Sequence, residues 1–333
     1  MPLQRLPKLP QLLDRKIYKT GQTRGADDDV IYQNRVSRSS TVLIPYRCWN
    51  LCANPHDGGE GYESGFIVLL SPSEYFGNPK ITAELAANDL ALGRNALVFY
   101  ETREAWEAHN PDSLRWQPAK RRTNPLGGRY VARIPATTAT DNGGRIVRGF
   151  DVTSNKGAGI RVYEYASRAT TAKCRLQLEA LFWLCDDSAK VAVSNGMTPE
   201  DAATRKAAVL INCKESRLLD LARLTKARTL NARGRTICPL CLEELAGQGF
   251  FNRMEQAEGR EVTDLTVTQL NLFHIAELRF GVQNHRPYNV GWGHHHCNVV
   301  VKDTGIVETL EWMRRVLNRN MQEGHLPTEK KAS

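Results

Sequence analysis

Two short cysteine and histidine turns near the C-terminus are the residues best suited to chemistry. Cys238-Pro239-Leu240-Cys241 is one, and His294-His295-His296-Cys297 is the other. Zinc takes four tetrahedral nitrogen or sulfur donors, and two donors separated by two residues reach one ion from a single turn. Pro239 stiffens the first turn. In the second, His294 has the correct two-residue bite on Cys297, whereas His295 and His296 stand too close to it. The expected ligand set is therefore Cys238, Cys241, His294 and Cys297. Two turns about fifty residues apart make a closed structural site with no open position for a reacting group.

The competing use of a Cys-x-x-Cys pair is redox chemistry, which favours a buried strand before the pair and a helix after it. Residues 225–240 are basic and polar, so the metal reading is preferred. A weaker set, Cys48-x3-Cys52-x3-His56, offers only three donors at irregular spacing, and these cysteines are expected in the core. His274, Asn289 and Asn298 lie among or beside the ligands without belonging to them. A neutral imidazole, with an ordinary pKa near 6.5, is suited to accept a proton at neutral pH. Taken singly, His274 between Phe273 and Ile275 also fits a core histidine, and the two asparagines fit a turn and a helix cap.

Elements that must position these groups follow from patterning. Thr41 to Ile44, Gly65 to Leu70 and Ala96 to Tyr100 are short apolar runs bounded by Pro, Gly or polar residues, which predicts strands. Tyr130 to Ile134 and Ile160 to Tyr165 alternate like half-buried strands. Helices are expected from Ile81 to Leu92 and after Thr102, so 41–166 reads as a curved mixed sheet with a few helices. The period then changes. Leu178, Leu181, Phe182 and Leu184 have helical spacing, and Thr198-Pro199 with Glu200 and Asp201 opens a helix through most of 199–230. Its basic end carries Arg217, Arg223, Lys226, Arg228, Arg233 and Arg235, side chains that fit a solvated face or, as a set, phosphate contacts. Ile306, Val307, Leu310, Met313 and Leu317 mark a closing amphipathic helix. Residues 1–40, rich in Pro, Gly and charge, read as an irregular arm with little helix.

Bulk composition narrows the classes. With 45 Lys plus Arg against 36 Asp plus Glu, the net charge is +9, which suits a polyanionic partner. No apolar run approaches the roughly 18 residues that a membrane span needs, and the N-terminus lacks the apolar stretch of a secretory signal. Eight cysteines in 333 residues are too sparse for a disulfide scaffold, which predicts a reducing, cytoplasmic location. No Gly-x4-Gly-Lys-Ser/Thr run is present, so no nucleotide cofactor is expected.

Segment 238–303 resembles the HNH nucleases of the ββα-metal superfamily. Their pattern is Cys-x2-Cys, a His-Ile pair, an Asn, and a second metal turn followed at once by His or Asn. The counterparts are Cys238 and Cys241, His274-Ile275, Asn289, and His294-x2-Cys297-Asn298. One Cys is replaced by His, which zinc tolerates. The resemblance implies that His274 is the general base, that Asn289 holds the loop backbone and orients His274, and that Asn298 holds one Mg²⁺ or similar ion. One structural Zn²⁺ per chain would tie the helix carrying Asn298 to the hairpin. Many members have an Asp just before the catalytic His as a second metal ligand. That position is Phe273 here, and Glu277 and Asp303 are the nearest acids.

The implied fold is α+β: a mixed-sheet N-terminal DNA-recognition region with helices, plus a C-terminal zinc-stapled ββα-metal (HNH) module. The boundaries expected are an arm over 1–40, a strand-rich recognition domain over 41–198, a basic helical connector over 199–235, a nuclease domain over 236–320 and a tail over 321–333. A recognition region fused to a cleavage module, with no ATP motif, implies a type II restriction endonuclease that cuts double-stranded DNA to 5′-phosphate and 3′-hydroxyl ends. The stretch from Lys16 to Pro45 resembles the BstXI type. One site per chain calls for a homodimer or higher homo-oligomer. Arg121, Arg122, Arg129, Arg133 and Arg145 are loose candidates for base or phosphate contacts. The alternatives are an HNH enzyme that requires modified bases, with Trp49, Trp106 and Trp116 as candidate stacking residues, and a zinc-stabilised DNA-binding protein without hydrolysis.

Overall fold

A computed structural model describes residues 6–19, 41–52, 65–121, 124–134, 146–149, 160–161, 165–252, 268–277, 284–301 and 304–326. The chain forms two compact units. One comprises Met1–Tyr18, Ala172–Arg279 and Asn284–Ser333, and includes the first helix, α1 (Gln11–Asp14). The other comprises Lys19–Thr171 and Phe280–Gln283.

The latter unit is built on a six-stranded mixed sheet. Its strands are β1 (Val42–Pro45), β2 (Phe66–Leu70), β3 (Ala96–Tyr100), β4 (Tyr130–Arg133), β5 (Val147–Arg148) and β6 (Ile160–Arg161), in the order β5-β4-β3-β2-β1-β6. All neighbours are parallel except β4 and β5. Parallel neighbours need crossovers. These contain α2 (Trp49–Cys52), α3 (Pro72–Gly77), α4 (Ile81–Ala87) and α5 (Arg103–Ala108). Ser71 opens α3 with a reciprocal cap, its hydroxyl accepting the Glu74 N–H at 3.2 Å while the Glu74 carboxylate accepts the Ser71 N–H at 2.7 Å. Thr102 caps α5 through the Ala105 N–H.

Both faces of the sheet are apolar, as a covered parallel sheet requires. Val42, Ile44, Val68 and Leu70 pack with Ile81, Leu85 and Leu90, whereas Ile67, Leu97 and Val131 pack with Ala119 and Leu126. The helix expected from Ile81 to Leu92 stops at Ala87. Asp89 turns left-handed, and the Leu90 N–H bonds back to the Leu85 carbonyl at 2.8 Å, because Leu90 takes a core position that a continuing helix would deny it. Cys48 and Cys52 are buried in that core, and His56 lies outside the described residues.

In the unit containing α1, the chain continues from that helix through a π-helical turn, Arg15–Lys19. Gln11–Lys19 is thus helical where irregular chain was expected, because Leu13 and Ile17 provide two fully buried anchors at helical spacing, and residues 20–40 of the expected arm lie outside the described residues. The following helices are α6 (Arg168–Trp183), which carries the chain into this unit, α7 (Ser188–Ser194), α8 (Pro199–Glu215) and α9 (Leu221–Lys226). The single helix expected through 199–230 breaks at 216–220. Arg217 adopts φ 57, Leu218 buries itself while its N–H bonds to the Cys213 carbonyl, and Asp220 caps α9 through the Arg223 N–H at 3.0 Å.

Antiparallel strands β7 (Leu270–His274) and β8 (Val290–His294) come next, followed at once by α10 (His295–Val301) and then α11 (Ile306–Gln322). The hairpin is docked on α6. The Trp292 indole N–H donates to the Leu178 carbonyl at 2.7 Å, and the Tyr288 N–H to the buried Gln177 side chain at 2.8 Å. Gly293 is required by packing, since a Cβ there would come within 2.5 Å of the Phe273 ring. The closing helix forms as expected but buries Ile306 and Thr309, leaving Val307, Leu310 and Leu317 exposed.

Beneath the hairpin lies a buried polar cluster. The Arg205 guanidinium straddles the Glu179 carboxylate with contacts of 2.6 and 3.0 Å, and the same carboxylate accepts from the Tyr18 hydroxyl at 2.5 Å and the Trp183 indole at 3.2 Å. Lys16, also buried, donates to the Leu270 carbonyl at 2.7 Å. Among the described residues, no helix is long and apolar enough to cross a membrane.

Candidate functional site

The first metal turn is shaped by its own backbone. The Cys238 N–H bonds to the Glu243 carbonyl and the Leu242 N–H to the Cys238 carbonyl, both at 2.9 Å. Leu242 closes the turn at φ 65. The Arg228 side chain holds the turn from outside through the Pro239 carbonyl at 2.7 Å. The second turn arises because β8 ends at His294 and α10 starts immediately, which places Cys297 one helical turn beyond the histidine.

The donor atoms of Cys238, Cys241, His294 and Cys297 all lie within 4.8 Å of one another, and the Cys241 sulfur is 3.3 Å from His294 Nδ1. Three sulfurs and one imidazole nitrogen at this separation can hold one metal ion. Burial pushes the Cys297 thiol well above its ordinary pKa, and the neighbouring Cys238 and Cys241 thiols push it further. Burial also lowers His294, with the His296 ring adding to the effect. Three crowded sulfurs resist ionising together unless a cation sits among them, so the electrostatics of the cluster suit a bound metal. His295 turns away, its Nδ1 lying 2.9 Å from the Asn271 amide, and His296 stacks on His294.

His274, the last residue of β7, is 8% exposed, and its Nε2 lies 3.0 Å from Nδ1 of His285, itself 1% exposed. Asn289 precedes β8. Its side-chain oxygen accepts the Ala276 N–H at 2.7 Å, and its amide donates to the Asn284 carbonyl at 2.6 Å. The Asn284 amide in turn donates to the Glu277 carbonyl at 2.5 Å. One buried amide thus holds both ends of the loop between the two histidines. His285 was not singled out by sequence reasoning. Its signal was a single histidine in the interval between His274 and Asn289.

Asn298 lies half-buried on α10, which packs against both strands of the hairpin. Phe273, at the position where the resembling nucleases often carry an Asp, is fully buried. Asp303 lies outside the described residues, and Glu277 is half-buried beside the His274 loop.

Most of the basic set is already engaged. Arg223 stacks on Tyr288 at 3.8 Å, Arg228 holds the metal turn, Arg233 pairs with Glu244 and Arg235 with Asp186. Arg217 and Lys226 are exposed. In the sheet unit, Arg121 is exposed and Arg129 lies 5.9 Å from the Trp116 ring. Arg122, Arg145 and the Arg133 side chain fall outside the described residues. Trp106 is a core residue against Tyr100 and Tyr130, whereas Trp49 packs on Phe66 and Trp116 on Phe76.

A protein-family comparison gives these features a class: the chain is a restriction endonuclease. Residues 15–295 match the model described as BstXI restriction endonuclease, and the chain belongs to that family. Membership supports a sequence-specific type II deoxyribonuclease with DNA as its substrate, a class that generally uses divalent metals. No curated protein and no solved structure matches the chain.

Proposed function

We propose that this restriction endonuclease cuts double-stranded DNA at an HNH-type site. The observation that carries the reading is the run of β7, β8 and α10, with His274 at the end of the first strand, Asn289 just before the second and the Cys₃His cluster where the second strand becomes the helix.

In this mechanism His274 takes a proton from the water that attacks phosphorus. The bond from phosphorus to the 3′-oxygen breaks, and the leaving oxygen acquires a proton from solvent, giving 5′-phosphate and 3′-hydroxyl ends. Asn289 fixes both ends of the backbone loop between His274 and His285, so the imidazole stays aimed. Asn298 would hold one Mg²⁺ or similar ion, which when bound supplies charge neutralisation at the phosphate and the leaving oxygen. Cys238, Cys241, His294 and Cys297 would hold one structural zinc, fixing α10 against the hairpin. The strand-rich region supplies base and phosphate contacts. Two chains act together, one on each strand.

The test is to incubate the pure protein with plasmid and phage DNA plus Mg²⁺ and to sequence the fragment ends. Discrete ends bearing 5′-phosphate are expected. His274→Ala should keep DNA binding and lose about 10²- to 10⁴-fold in cleavage, the range of a general base. Cleavage by that variant at the wild-type rate would remove His274 from the mechanism.

A further inference from the structure

We infer that His285 is a positioning residue for catalysis, setting the tautomer of His274 and steadying the charge that His274 acquires. The inference rests on the role proposed above for His274.

Two imidazole nitrogens that face each other at 3.0 Å need one hydrogen between them. Two arrangements satisfy this when both rings are neutral. If His285 Nδ1 carries the hydrogen, His274 Nε2 accepts it, so His274 must be protonated at Nδ1 and has no lone pair for a water proton. If His274 Nε2 carries the hydrogen, His285 Nδ1 accepts it, and His274 Nδ1 is left with its lone pair. Only the second arrangement makes His274 a base. It becomes stronger on turnover, because the Nε2–H of an imidazolium is a charge-assisted donor. His285 therefore favours the protonated product of the proton transfer without touching DNA.

The geometry is held on both sides. The Asn289 side chain bonds the Ala276 N–H, two residues after His274, and the Asn284 carbonyl, one residue before His285. The Asn284 amide closes the loop on the Glu277 carbonyl. Both rings are buried, so their contact is little screened by water.

The first test needs no substitution. Nitrogen-15 NMR of histidine-labelled protein at neutral pH should report His274 protonated at Nε2 and His285 unprotonated at Nδ1, with coupling across the shared hydrogen. The reverse tautomers, or no coupling, would overturn the inference.

The second test is kinetic. His285→Phe should lower kcat about tenfold to a hundredfold at unchanged KM and move the acid limb of the kcat profile to lower pH. His285→Asn, which restores an acceptor near Nδ1, should recover most of both. A purely structural role would leave the acid limb where it is. If His274→Ala is inactive while His285→Phe keeps the wild-type kcat and profile, His285 loses its role and His274 keeps its own. If His274→Ala cuts normally, the mechanism proposed above fails first.

Discussion

The side-chain oxygen of Asn289 accepts the backbone N–H of Ala276 at 2.7 Å, two residues beyond His274. The same side chain donates to the Asn284 carbonyl, beside His285. Asn289→Ala strands the buried Asn284 carbonyl, at a cost of about 1–3 kcal/mol, and leaves the part-buried Ala276 N–H without its acceptor. It should lower the denaturant midpoint and reduce kcat more than DNA affinity. Asn289→Asp, which keeps the acceptor and loses the donor, should fall between. Equal kcat in the wild type and both variants would show that the loop does not need this amide.

The Cys₃His cluster predicts one tightly held metal ion per chain by elemental analysis. Stripping it with a strong chelator should lower the melting temperature and abolish cleavage, and Mg²⁺ alone should restore neither. Cys238→Ser should behave similarly. Because the Cys297 thiol is pushed up by burial and by its neighbours, protons compete with the ion, so affinity should weaken as pH falls. An unchanged melting curve after verified metal loss would remove the staple from the account.

Burial lowers the Lys16 ammonium from 10.5 to about 7. Unfolded, Lys16 keeps its proton up to its ordinary pKa, whereas folded it releases the proton near neutrality. Between those values the unfolded chain binds more protons, so this group's contribution to stability should rise with pH from about 7 toward 10. The gain is on the order of a few kcal/mol. Lys16→Met should flatten that slope when melting is followed across this range. The same slope in the variant would assign the effect elsewhere.

Arg205 and Glu179 form a buried ion pair, with Glu179 fully inaccessible. Breaking one partner leaves the other charge unpaired, at a cost of about 3–5 kcal/mol. Arg205→Ala should therefore destabilise strongly in chemical denaturation, and Arg205→Lys, which loses the bidentate fork, should recover only part. A loss below about 1 kcal/mol for Arg205→Ala would mean that Tyr18 and Trp183 hold the carboxylate without it.

Elements whose cues are local were legible in the chain. The apolar runs around Val42, Phe66 and Ala96 are strands, and Thr102 and Thr198 cap helices, because burial pattern and capping depend on adjacent residues. The pairing of the 238–241 and 294–297 turns was legible for the same reason, since each needs only a two-residue bite. Where tertiary packing overrode local pattern, the reading missed. Leu90 and Leu218 ended helices early to fill the core, and the charged, proline-rich start of the chain became helical because Leu13 and Ile17 found buried positions. Most of the basic run after Glu215 is occupied by a carbonyl, a tyrosine ring or carboxylates, partners that spacing does not reveal.

The order and types of residues alone determined an α+β chain with two turns of metal-ligand spacing, one of two cysteines and one of a histidine and a cysteine, at the ends of a segment that holds a histidine and an asparagine. Donor chemistry and bite length are properties of short peptides, so no distant contact is needed to read them. Only the tertiary structure decided that His285 would face His274, that Asn289 would hold the loop joining them and that Lys16 would be buried against β7. Those relations depend on where strands stop and which side chains exclude water. Such outcomes are settled by the competition of the whole chain for buried space, which no local spacing encodes.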